Sequence, residues 1–92
     1  MSKPVIAMIG QANCYEDPDQ YPGGAETLWI IPRFVDEKTE MRTLYDDPSQ
    51  IGDCIKVAGP LPFKEYEALR DRLKAVFEHL GAEVQWLGVA DD

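Results

Sequence analysis

The chain is poor in the residues that most site chemistry requires. It has one histidine, His79, and two cysteines, Cys14 and Cys54, among 92 residues. One imidazole and two distant thiols do not make a zinc site, whose ligands are closely spaced Cys and His. Asp17 and Asp19 offer two oxygens, but the glycine and the terminal glutamate of a calcium loop are missing. No metal and no cofactor is therefore expected. Cys14 with His79 is the one conceivable thiol–imidazole pair. Cys14 is followed by Glu16, Asp17 and Asp19, and carboxylates oppose the thiolate that a reactive cysteine needs. There is no Ser/His/Asp arrangement and no glycine loop that would cradle a phosphate. The expectation is a non-enzymatic protein.

Positive charge is also scarce. Nine Lys and Arg stand against seventeen Asp and Glu, for a net charge of −8. Phosphate contacts depend on Lys and Arg, so direct nucleic-acid binding is not expected. Long apolar runs are lacking as well. The run near the start, Val5 to Gly10, is too short for a secretory signal or a membrane span. The expected location is the cytoplasm, with no membrane partner and with both thiols reduced.

What the chain does contain fits one domain over 1–92. The clearest element is "PFKEYEALRDRLKAVFEHL", Pro62 to Leu80. Phe63, Tyr66, Leu69, Leu73, Val76, Phe77 and Leu80 recur at steps of three and four, the stripe of an amphipathic helix. Pro62 suits the first helical position, with Leu61 as the cap, and Gly81 suits a left-handed stop. Four runs read as strands before the helix: Pro4–Ile9, Thr27–Val35, Glu40–Tyr45 and Asp53–Ala58. The second and third are expected to pair as a hairpin around "DEKT", with Pro32 making the first arm an edge or bulged strand. Glu83–Val89 follows the helix. The expected fold class is α+β, two-layer, with one amphipathic helix on a four- to five-stranded mixed sheet in the order β-β-β-β-α-β.

"IKVAGPLPFKEYEALRDRLKAVFEHLGAEV" reads strand, Gly-Pro turn, helix, glycine, strand. Its "AGPLPF" resembles the strand-turn that opens nucleoside deoxyribosyltransferase-type enzymes, over Ile55 to Val84. The resemblance implies a local shape and no enzyme, because that family places its catalytic carboxylates further on in a larger domain. The residues themselves point to a second feature. A helix that starts without a side-chain cap leaves the amides of Phe63, Lys64 and Glu65 free for water or an anion. With Lys56 and Lys64 nearby in sequence, a small nucleotide-like anion is the alternative ligand.

The stretch "GQANCYEDPDQYPGGAE", Gly10 to Glu26, reads as a long acidic loop. Loops of that length in compact domains tend to serve a function. Asp17-Pro18 and Pro22-Gly23 carry turn chemistry. Tyr15 and Tyr21 either fold back onto a sheet edge or anchor a partner. From Gln11 to Cys54 there are ten acids and three bases, net −7, whereas Phe63 to Leu80 is neutral. The doublets Glu16-Asp17, Asp36-Glu37, Asp46-Asp47 and Asp91-Asp92 are either solvated turns or a surface of spaced carboxylates that imitates a phosphate backbone. The leading expectation is a small acidic interaction protein that binds, and can inhibit, a basic nucleic-acid-handling protein. Tyr15, Glu16, Asp17, Asp19, Tyr21, Asp36, Glu37, Asp46 and Asp47 are its candidate contacts. Small inhibitors of nucleic-acid enzymes, phage-encoded ones among them, commonly have this size and acidity.

Anchors and rim charges act on different rates. Tyr21→Ala is expected to speed dissociation of the partner complex while the fold stays intact. Replacing Glu16, Asp17 and Asp19 together by Gln and Asn is expected to slow association and flatten its salt dependence. Surface-plasmon kinetics at several ionic strengths separate the two effects, and wild-type kinetics in both variants would leave Gly10–Glu26 a mere connector.

Overall fold

The computed structural model describes residues 3–13, 19, 24–36 and 41–90. Four strands, β1 (Val5–Asn13), β2 (Ala25–Ile31), β3 (Ile55–Pro62) and β4 (Glu83–Ala90), form one mixed sheet in the order β3-β2-β1-β4. A short helix α1 (Met41–Asp46) and a 3-10 turn (Pro48–Gln50) lie between β2 and β3, and the long helix α2 (Phe63–His79) lies between β3 and β4. The fold is α+β, as the hydrophobic pattern implies.

β1 is the centre. It pairs antiparallel with β2, from Ala7↔Ile31 to Asn13↔Ala25, and parallel with β4, from Val5↔Glu83 to Gln11↔Ala90. Its continuous apolar run is buried on both sides, which is what such a run requires. Successive side chains alternate between two cores. Met8 joins Leu28 and Tyr66 under α2. Ala7 and Ile9 join Ile31, Val35, Leu44 and Leu87 on the opposite face, which residues 32–36 and 41–54 cover.

The expected hairpin between Thr27–Val35 and Glu40–Tyr45 does not form. β2 stops at Ile31 because Pro32 has no N–H to continue the ladder. β2 is therefore a central strand between β1 and β3, not an edge. Met41–Asp46 is helical, with Leu44 fully buried and the Asp47 amide donating to the Thr43 carbonyl. One inward residue per turn is enough here, since the segment packs on a sheet face and joins no strand. The expected loop also shortens: β1 runs to Asn13 and β2 begins at Ala25, so the two strands are the arms of a hairpin.

The Gly-Pro pair expected to turn lies inside β3 instead. Glu26 faces Leu61 and Leu28 faces Ala58, so Gly59 and Pro60 bulge against Thr27. Gly59 sits at φ 139°, and a Cβ there would come within 2.6 Å of the Thr27 Cα. Pro60 is tolerated because β3 is an edge strand.

α2 starts at Phe63, one residue later than the sequence pattern places it, with Pro62 as a cap that offers no side-chain acceptor. At its end the Ala82 amide reaches the Phe77 carbonyl and the Gly81 amide reaches Glu78, around Gly81 at φ 90°. This is the expected glycine stop, in its Schellman form. Of the seven stripe residues, Tyr66 is fully buried, and Leu69, Leu73 and Phe77 pack beside it. At about 100° per residue these four span an arc of roughly 80°. Phe63 and Val76 fall at the two margins of that arc and Leu80 lies past the last turn, which is why all three stay exposed.

Tyr66 packs closely on Gly10. A Cβ on Gly10 would overlap the Tyr66 hydroxyl and approach Cζ at 2.9 Å. Gly10→Ala is expected to destabilise the protein by about 1–3 kcal/mol through overpacking. Much of that loss should disappear in a Tyr66→Leu background, and equal losses in both backgrounds, read from denaturant melts, would place the cause elsewhere.

Candidate functional site

Two surfaces carry chemistry, one on each side of the sheet. The first lies on the layer formed by residues 32–36 and 41–54. Its path is set by polar tethers more than by regular structure. The Arg33 guanidinium forks onto Asp53, with Nε donating to Oδ2 at 2.6 Å and Nη2 to Oδ1 at 3.1 Å. It also donates to the Phe34 carbonyl at 3.3 Å. Val35 is held from β4: its amide donates to Gln85 Oε1 at 2.8 Å, and Gln85 Nε2 donates back to its carbonyl at 3.0 Å. The Tyr45 hydroxyl donates to the Leu87 carbonyl at 3.3 Å. Arg33 keeps the Asp53 carboxyl ionised to lower pH than usual, chiefly through their hydrogen bond.

The consequence falls on Phe34. Its neighbours on both sides are clamped, and Val35 is buried, so Phe34 points outward and is 63% exposed. Asp36 follows with the same outward alternation. Tyr45 is 43% exposed beside exposed Asp46. Asp47 behaves differently. Its carboxylate caps the 3-10 turn, accepting from the Ser49 amide at 3.0 Å and the Ser49 hydroxyl at 2.8 Å. The Asp46-Asp47 doublet is thus split between an outward charge and a structural cap.

The second surface is the seam between α2 and the sheet. Glu26 on β2 turns toward α2, where the Tyr66 hydroxyl lies beside it. Neither Glu26 Oε2 nor the Tyr66 hydroxyl finds an aligned hydrogen bond. Burial raises the Glu26 pKa, opposed by Tyr66 and by the charge of Arg70. Burial and the Glu26 charge push the Tyr66 phenol up to about 12. Arg70 continues the seam, its guanidinium 5.7 Å from the Tyr66 ring centre and 5.4 Å from that of Trp86. Beyond it, Arg70, Asp71 and Lys74 rim a groove floored by Met8, Val84 and Trp86.

Among the residues expected to bind a partner, Asp19, Asp36 and Asp46 are exposed. Tyr15, Glu16, Asp17, Tyr21 and Glu37 lie outside the described residues, as does Cys14. Among those expected to bind an anion, Phe63, Lys64 and Glu65 are the exposed first turn of α2. Lys56 is not brought to them. It lies near the start of β3, some seven residues or roughly 20 Å along the strand from that turn. Cys54 is a free thiol, its pKa pushed up to about 11 by burial and then by the Asp53 charge. Among the described residues no three His, Cys, Asp or Glu side chains come together as metal ligands, and no helix is long and apolar enough to cross a membrane. Phe34, Tyr45, Arg70 and Trp86 were not singled out by sequence reasoning. Phe34 sits in a run that reads as strand, and the only hint of its exposure is the helix-capped layer that replaces the hairpin. Comparison with protein-family models, curated proteins and solved structures finds no match.

The Glu26 shift has a sign that can be tested. A carboxyl whose folded pKa is raised contributes most below its unfolded pKa, and that contribution is lost as pH rises through the folded value. Glu26→Gln, which fixes the neutral shape, is therefore expected to melt higher than wild type at pH 7. The gain should shrink as pH falls toward the ordinary glutamate range. A melting difference that does not vary with pH would mean that Glu26 is ionised at no cost in the fold.

Proposed function

We propose that this protein is a non-enzymatic interaction module that docks on a basic surface of a nucleic-acid-handling protein and can block it. The observation that carries the reading is Phe34, a large apolar side chain held outward on a backbone clamped at Arg33 and Val35. Most of the energy in small interfaces comes from a few aromatic anchors. An anchor that is already ordered avoids the entropy cost of fixing it on binding. Asp36 and Asp46 are exposed on the same layer, and the chain as a whole carries −8. Carboxylates around an apolar anchor favour a basic partner by steering and by register. Because Asp47 and Asp53 are committed to a cap and to Arg33, the reading rests on anchors within an acidic field, not on a regular row of phosphate-like charges.

The reading predicts unequal effects from the two kinds of residue. Phe34→Ala is expected to weaken the partner complex by 2 kcal/mol or more, to the order of thirtyfold, with an unchanged melting temperature. Asp36→Asn with Asp46→Asn is expected to act mainly on association rate and salt response. The partner is obtained by affinity capture with salt elution and the binding repeated with purified components. A partner surface that is not basic, or a Phe34→Ala variant that binds like wild type, would overturn the proposal.

A further inference from the structure

We propose that β4 is a dimerisation edge, at which two copies of this chain pair β4 antiparallel about a two-fold axis at Gln85. The joined sheet would take four strands from each copy. The two edges of the single sheet differ. β3 carries Lys56, Pro60 and Pro62 and is bulged at Gly59, and each of these features hinders a further strand. β4 has no proline, and residues 84–90 carry no charge in a chain of −8. Among the described residues no strand lies beyond it. The direction of its backbone groups is set by its pairing. The Glu83 amide donates to the Pro4 carbonyl at 2.8 Å, and in a parallel ladder alternate residues face the neighbouring strand. Glu83 and Gln85 thus bond toward β1, while Val84 and Trp86 turn their N–H and C=O groups to the open edge. Gly88, at φ 88°, ends the regular stretch, and the register slips between Trp86 and Val89. That slip keeps Val89 on the α2 face with Trp86, since the two pair with Gly10 and Met8. Trp86 is 42% exposed there and Val89 39%.

A second copy fits this edge in charge and in register. Two acidic chains repel each other over most of their surface, and residues 84–90 are a stretch where they meet without opposed carboxylates. A basic foreign strand, which the overall charge would favour, finds no carboxylate along those residues to pair with. With the axis at Gln85, Val84 of each copy lies opposite the partner's Trp86. These are pairs of the bonded kind, so each exchanges both of its N–H···O bonds and the open edge is satisfied reciprocally. Valine opposite tryptophan is a stabilising cross-strand pair, and it covers indole surface that is wet in the single chain. Glu83 lies opposite the partner's Leu87. The two Glu83 residues then stand four positions apart along the strands, roughly 13 Å, beyond the screening length of about 8–10 Å. A two-fold axis normal to the sheet leaves both α2 helices on one face. Each packs over Met8 of β1 and Leu28 of β2, so their axes stand roughly 19 Å apart, more than the width of a helix, about 10–12 Å. The inference rests on the β4 edge and is independent of the docking reading at Phe34.

The test is sedimentation equilibrium of the full chain from about 10 μM to about 1 mM, because so small an interface binds at micromolar strength or weaker. A monomer–dimer equilibrium is expected, with the mass rising from 10.4 kDa toward twice that value. Isotope-filtered spectra of mixed labelled and unlabelled chain should place the Val84 methyls beside the partner's Trp86 indole. Val84→Pro removes an edge N–H that β1 does not use, so the fold is expected to stand, while dimerisation should weaken about tenfold or more. Trp86→Lys puts a charge on the edge and should weaken it at least as much. Ile55→Lys, at the exposed start of β3, should leave it unchanged. A chain that stays monomeric across that range, even one whose β4 captures a strand of another protein, would overturn the proposal. So would a dimer that survives both β4 variants, one lost in Ile55→Lys, or filtered contacts in another register.

Discussion

Burial of β1 on both faces is the constraint on which the rest depends. A strand with Ala7, Met8, Ile9 and Gly10 all buried needs apolar cover above and below. One long helix supplies the first cover, because its stripe matches the Met8–Leu28 side. Among the described residues no second long helix covers the other side, and residues 32–36 and 41–54 do that work with Val35, Leu44 and the half-buried Ile51 and Cys54, packed beside Trp29 of β2. A cover with so little regular structure must satisfy its backbone by other means. The side chains of Gln85, Arg33, Tyr45 and Asp47 do so one contact at a time. The polar tethers are thus a consequence of how the sheet is covered, and the rigid presentation of Phe34 is a consequence of the tethers.

The same constraint shapes the seam under α2. Tyr66 can lie against the sheet only because Gly10 has no side chain. That close approach brings a phenol and the Glu26 carboxyl into one partly dry place, where neither is well bonded. Tyr66 then acts as the base on which Arg70 is stacked, and Arg70 in turn reaches Trp86. The groove is therefore built outward from the core, from Gly10 through Tyr66 and Arg70 to the edge strand.

Much of the framework was legible in the sequence, for physical reasons that apply to particular elements. α2 announces itself by seven apolar residues in helical register and by Gly81, and β1 by an unbroken apolar run. What was not legible turned on competition between distant segments. Glu40–Tyr45 has the alternation of a strand, but its place is on a sheet face, where Leu44 alone needs to turn inward. Thr27–Val35 reads as one strand through Pro32, yet the ladder ends at Ile31 and the remaining residues serve the cover. "AGPLP" has the composition of a turn and is accommodated as a bulge because β3 is an edge and Thr27 faces Gly59. For the candidate surfaces, the acidity was plain, but composition could not tell that Asp47 caps a turn and Asp53 holds Arg33. Nor could it tell that Lys56 lies far from the first turn of α2, since sequence proximity along a strand is distance in space.

The two faces also divide the charge, and that division bears on how the surfaces would work together. On the cover, Arg33 is neutralised by Asp53, leaving Asp36 and Asp46 outward around aromatic side chains. On α2, four acids and four bases are interspersed, and Arg70 and Lys74 at the groove rim are paired with Glu67, Asp71 and Glu78. Screening limits the reach of exposed charges to about 8–10 Å at ordinary ionic strength. The sheet stands between the faces, with stacked layers about 10 Å apart. The acidic field that would steer a basic partner to Phe34 is thus largely screened at Arg70 and Lys74. The twice-covered sheet thus holds the outward carboxylates of the cover apart from the paired charges of α2.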